Sequence, residues 1–103
     1  MSGPDYEISP KRTSEIFAIR DRIKGDSGPA QCNRLLTILR EVGPVSTFEL
    51  SRFADIYYSP SRKFELKAEG HNIITTRRTI RTESGALHSL GVYSLVAGTG
   101  IAG

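Results

Sequence analysis

Apolar residues in the stretch AQCNRLLTILREVGP fall at Cys32, Leu35, Leu36, Leu39 and Val42, with Asn33, Arg34, Arg40 and Glu41 elsewhere. Spacings of three and four place the apolar set on one helical face, so this segment reads as the first core helix. Gly43 and Pro44 end it: glycine accepts a left-handed cap and proline cannot continue a helix. Upstream, TSEIFAIRDRIKG repeats Ile16, Ile19 and Ile23 at the same spacing, with Glu15 early and Lys24 before Gly25. A short amphipathic helix is expected there, docked on the core or on a second chain. The first twelve residues show no period and read as a disordered arm, while GDSGP has linker chemistry.

Past Pro44 the pattern shortens. Val45 is extended, and Ser46 and Glu49 have capping-box spacing, so a second helix starts near Thr47 and turns Leu50, Phe53 and Ala54 inward. Asp55-Ile56-Tyr57-Tyr58 interrupts it after roughly two turns of 3.6 residues. Ser59 has N-cap chemistry and Pro60 suits the first helical position, so a third helix runs to Glu69 and stops at Gly70. HNIITTRRTIR then alternates and is rich in β-branched residues, TESGA supplies a turn, and LHSLGVYSLVA is a second strand. The expected organisation is an N-terminal arm with a short helix over 1–28, a folded domain over 29–97, and a flexible tail, GTGIAG, over 98–103.

Composition narrows the class. The 103 residues are 38% apolar and 24% charged, enough for one small domain with one core. No apolar run approaches the ~20 residues of a membrane span, and MSGPDYEISPKR lacks the order of a secretory signal, so an intracellular protein is expected. Cys32 is the single cysteine, which excludes an internal disulfide and a cysteine-cluster metal site and reads as a small buried hydrophobe. The net charge is +3: residues 1–28 hold five basic and five acidic side chains, residues 29–97 nine and six. The excess therefore lies in the folded domain, which is compatible with a polyanionic partner.

Helix, short extended piece, helix, turn, helix and hairpin make up the winged helix-turn-helix plan: an α+β fold with a three-helix core and a two-stranded β-hairpin wing. From Gln31 to Val96 the wording also resembles the small helix-turn-helix domains encoded by bacteriophages and prophages. Those domains pair an opening like "QCNRLLTILREVGPVSTFEL" with a later "ELKAEGHNIIT" and a closing "VYSL". The resemblance implies double-stranded DNA as partner, read by the third helix with the hairpin as wing, and a place in the bacterial cytoplasm. Its members serve as regulators or as excision and replication factors.

Site candidates follow from both lines. Ser61, Arg62, Lys63 and Lys67 are assigned to the outer side of the third helix, where Arg or Lys can bond a guanine edge or a phosphate; Glu65 can accept from cytosine or pair with Arg62 or Lys63. Arg77, Arg78 and Arg81 form the densest basic cluster, on the expected wing, with adjacent Arg77 and Arg78 on opposite strand faces. Phe64 is a departure: the resembling domains carry an apolar residue where this chain has Lys63, and Phe64 sits ~200° around the helix from Leu66. Either the helix is rotated to bury Phe64 or the ring is exposed, toward a thymine methyl or a protein partner.

Phe48, Phe53, Tyr57, Tyr58 and Tyr93 read as core and turn packing, and His71 as a structural residue at the helix end. Two histidines without cysteines or clustered carboxylates make no recognisable metal site, and no catalytic signature is present, so no enzyme and no cofactor are expected. A domain this small usually needs two half-sites, which predicts a homodimer with Ile16 to Ile23 as one contact. The rival expectation is a module that binds a host protein through Phe64 and the tyrosines.

Overall fold

The computed structural model describes residues 10–96. Its order is α1 (Pro10–Arg22), α2 (Gly28–Glu41), β1 (Val45–Ser46), α3 (Thr47–Phe53), α4 (Ser59–Ala68), β2 (Ile73–Arg81) and β3 (Leu87–Leu95). The three expected core helices are α2, α3 and α4. The expected arm over the first twelve residues is corrected in part, because Pro10, Lys11 and Arg12 form the first turn of α1; residues 1–9 and the tail 98–103 lie outside the described residues.

Docking of α1 is intramolecular. Ile16 and Ile19 are buried in the same core as Leu35, Ile38, Leu50 and Ile73. Each such burial contributes roughly 1.5–3 kcal/mol. Phe17 meets Phe53 edge to face at 5.5 Å, and Phe53 meets Phe48 at 6.1 Å, an aromatic row that joins α1 to α3. The α1 face proposed above for a dimer contact is therefore occupied by its own domain.

Local chemistry sets the helix ends. The Ser27 hydroxyl accepts from the Ala30 N–H at 3.2 Å to start α2, and Gly43 at φ 108° follows its end. At α3 the capping box is complete: the Glu49 N–H donates to Ser46 Oγ at 3.1 Å and the Ser46 N–H donates to Glu49 Oε1 at 3.0 Å. The start of α4 differs from expectation. Tyr58 is the N-cap, with no side-chain bond, while Ser59 is helical and buried, its hydroxyl 3.4 Å from the Tyr93 hydroxyl. Packing against Tyr93 takes the serine that a solvent-exposed start would use as a cap. At the other end, the Gly70 N–H donates to Lys67 O and the His71 N–H to Leu66 O, a Schellman closure that places Gly70 at φ 104°.

Val45 and Ser46 pair with Tyr93 and Val92, so the expected two-stranded wing is part of a three-stranded antiparallel sheet ordered β1-β3-β2. The wing register runs from Ile73↔Leu95 to Arg81↔Leu87. Its turn closes with Gly85 N–H to Thr82 O and Thr82 N–H to Ala86 O, both 2.9 Å, with Gly85 at φ 92°. A three-residue hairpin loop of this kind needs a left-handed residue at that position.

Arg34, which the spacing places off the apolar face of α2, is nevertheless buried. It is 2% exposed, and its guanidinium donates to four backbone carbonyls: Ala54 O at 2.8 Å, Asp55 O at 3.2 Å, Ile23 O at 2.7 Å and Gly25 O at 3.1 Å. Ala54 and Asp55 form the turn between α3 and α4, where Asp55 takes φ 57°. One buried fork thus ties the α1–α2 connection to the turn that aims α4.

Candidate nucleic-acid interface

Leu66 is buried and sets the rotation of α4. Phe64, on the far side, is 74% exposed, which decides between the two placements left open by the sequence. Lys63 does not stand free on the outer face. Its ammonium lies 5.4 Å from the centre of the Tyr93 ring and donates to Thr75 Oγ1, while its stem lies half-buried over the sheet. Lys67 donates to Ile73 O at 3.2 Å.

Arg62 is turned inward, away from the outer side of α4 to which the sequence assigned it. Its guanidinium lies against Gly28 at the start of α2 and Glu65: Nη2 donates to Oε2 at 3.3 Å, and Nε lies 3.3 Å from Oε1 at ion-pair distance but without hydrogen-bond alignment. The Cys32 thiol donates to the same carboxylate, Sγ to Glu65 Oε1, at 3.1 Å. Burial first, then the Glu65 hydrogen bond and charge, push this thiol up to about 11. Arg62, Glu65 and Cys32 therefore form a local network that fastens α4 to α2.

Between α4 and the sheet runs an open cleft of about 500 Å³. Lys63, Lys67 and Arg77 are the charged residues of its lining, and Phe64, Thr75 and Gly91 lie among the others; no carboxylate is among them. Register explains how Arg77 reaches it. Arg77 pairs with Gly91 and Thr75 with Tyr93, so these residues share the sheet face that turns toward α4. A Cβ on Gly91 would stand 3.3 Å from Arg77 Nη1, so the missing side chain is what lets the guanidinium lie across β3. Nothing in the local sequence marks Gly91 for this purpose; only the strand register does.

The remaining wing cations diverge. Arg78 pairs with Leu90 on the opposite face, and Arg81 donates to Gly85 O at 3.1 Å beside the wing turn. Ser61 is exposed near the start of α4. Of the predicted site, α4 and the wing thus bring together Lys63, Phe64, Lys67 and Arg77; Arg62 and Arg78 face other ways, and Arg81 lies at the wing tip. Tyr57 and Tyr58 are exposed on the α3–α4 turn, which corrects their reading as packed residues, and Phe48 is partly exposed, whereas Tyr93 is buried as expected.

No helix among the described residues is long and apolar enough to cross a membrane. No curated protein matched the chain, and no solved structure matched it. The winged helix-turn-helix domain family matches residues 30–98, from the start of α2 to just past β3. With the helix–turn–helix and its wing laid out as above, the chain belongs to the winged helix-turn-helix domain family, a membership that suggests DNA binding.

Proposed function

We propose that this chain is a sequence-specific double-stranded DNA-binding protein of phage or prophage type. It acts in the bacterial cytoplasm as a small transcriptional regulator or an excision or replication accessory factor, without chemistry of its own. In this reading α4 enters the major groove and the wing holds phosphates. The observation that carries it is the cleft between α4 and the sheet, where Lys63, Lys67 and Arg77 supply positive charge and no lining carboxylate opposes them. Such a surface attracts the backbone of a duplex and sets the register in which a helix can meet base edges.

Two copies on paired half-sites supply affinity that one small domain lacks. Because Ile16 and Ile19 are buried in their own core, that contact lies elsewhere than on the apolar face of α1. Light scattering of the protein–DNA complex tests this part: two chains per site are expected, and one chain per site refutes the homodimer.

The test of the main reading is fluorescence anisotropy with mixed-sequence duplex and with single strands over a range of salt. Duplex binding that weakens steeply with salt is the expected result. A preference for single strands, or no binding at low salt, rejects it. The exposed rings of Phe64, Tyr57 and Tyr58 favour one alternative, a module that captures a host protein through aromatic anchors. That alternative predicts capture of one protein from nuclease-treated lysate, lost on Phe64→Ala.

A further inference from the structure

The three cations of α4 all have partners inside the fold. Arg62 pairs with Glu65, Lys63 reaches Thr75 and the Tyr93 ring, and Lys67 reaches Ile73 O. At ~100° per residue, Ser61, Phe64 and Ala68 lie ~140–200° from the buried Leu66, and all three are exposed. The ridge that α4 presents outward is therefore a hydroxyl, a phenyl ring and a methyl, with no charge of its own. Positive charge flanks it on one side, in the cleft that holds Lys63, Lys67 and Arg77.

A neutral ridge beside a basic cleft divides the work of binding. The cations meet phosphates, which carry no sequence information. The Ser61 hydroxyl can bond donor and acceptor edges alike and so separates the bases little, and neither a phenyl ring nor an alanine methyl can bond a guanine edge. What the ridge can distinguish is the apolar feature of the major groove, the C5 methyl of a pyrimidine. We propose, on the strength of the DNA-binding reading above, that Phe64 is the specificity-determining residue of this protein. Its ring reads a pyrimidine C5 methyl, supported by Ala68, and α4 makes no bidentate arginine or lysine contact to guanine.

Removing one methyl from the DNA tests this without altering the protein. A site is first selected from a random duplex library. Each thymine in it is then replaced singly by uracil, which lacks only the C5 methyl. Affinity is expected to fall about fourfold at one or two positions, the loss that corresponds to one buried methyl of ~0.8 kcal/mol. Phe64→Ala should bind the thymine and uracil forms equally while keeping the wild-type salt slope, and Phe64→Leu should keep part of the preference. A second set of duplexes with 5-methylcytosine in place of cytosine separates the two natural sources of this methyl: tighter binding there than to the thymine site identifies methylated cytosine as the target.

The failures are distinguishable. Salt-dependent binding with uracil tolerated at every position overturns the methyl reading and leaves the DNA-binding proposal standing. A thymine preference that survives Phe64→Ala also overturns it. Absence of duplex binding at any salt rejects the DNA-binding proposal, and this inference with it.

Discussion

Arg12 and Glu49, 37 residues apart, form a two-pronged ion pair: Arg12 Nε donates to Oε2 at 2.7 Å and Nη2 to Oε1 at 3.1 Å. Glu49 is completely buried and is also the carboxylate of the α3 capping box, and the same Arg12 Nη2 reaches Pro44 O. The first turn of α1 thereby secures the start of the helix-turn-helix.

Arg12→Ala leaves the buried Glu49 carboxylate without this guanidinium, and we expect a loss of about 2–3 kcal/mol in denaturant unfolding, below the usual value for a fully buried pair because Arg12 is partly exposed. Combining Arg12→Met with Glu49→Gln should recover much of it, since the charge that needs a partner is gone and the amide oxygen still accepts at the cap. Strictly additive losses in the double variant would contradict the pairing.

Arg34→Lys keeps the charge but cannot span four carbonyls on two connections, so it should cost about 2 kcal/mol, and Arg34→Ala about 3 or more. Amide exchange at Ile56 is the sharper readout: its N–H donates to Leu50 O at 2.9 Å across the α3–α4 turn, and it should lose protection before the core of α2 does. Unchanged exchange there in Arg34→Lys would show that the fork does not hold the turn.

Cys32 carries a pH signature. Its folded thiol titrates near 11, against an ordinary value of 9.0. The unfolded chain therefore releases the proton first, and between pH 9 and 11 the folded state binds more protons. Stability contributed by the neutral thiol is present below pH 9 and is lost as pH rises toward 11. Alkylation of the native protein should be slow at pH 8 and accelerate up to about pH 11. Cys32→Ser should remove this part of the alkaline slope. Rapid alkylation of the folded protein at pH 8 would refute the raised value.

On the wing, Arg77→Ala should flatten the log–log salt dependence of DNA binding by roughly 0.9, the release expected from one phosphate contact. Arg81→Ala should act similarly at the wing tip. Arg78→Ala, on the face opposite the cleft, should have a smaller effect. Equal losses at Arg77 and Arg78 would mean that the duplex does not lie along the α4 side of the sheet. Gly91→Val should weaken binding several-fold by displacing the Arg77 guanidinium.

Much of the architecture was legible in the chain because its signals are local. The Ser46–Glu49 box, the glycines at 43, 70 and 85, and the change from helical to alternating periodicity at Asn72–Ile73 each act within a few residues. They determined where α3 begins, where α2 and α4 end, and where the wing starts and turns, and so the winged helix-turn-helix class; the start of α4 shifted by one residue because Ser59 packs against Tyr93. Only the tertiary structure decided the fates of individual polar side chains. Arg34 sits on α2 beside exposed Asn33 and is buried because carbonyls from two other connections converge on it. Arg62 turns inward because Glu65 sits at its side and Gly28 leaves room, and Arg77 gains its position because the register puts Gly91 opposite. Periodicity states which helix face is apolar; it does not state which distant atoms will meet a long cation. Phe64 was ambiguous for the same reason, since the rotation of α4 is set by how Leu66 and Ser59 fit a core assembled from every other element.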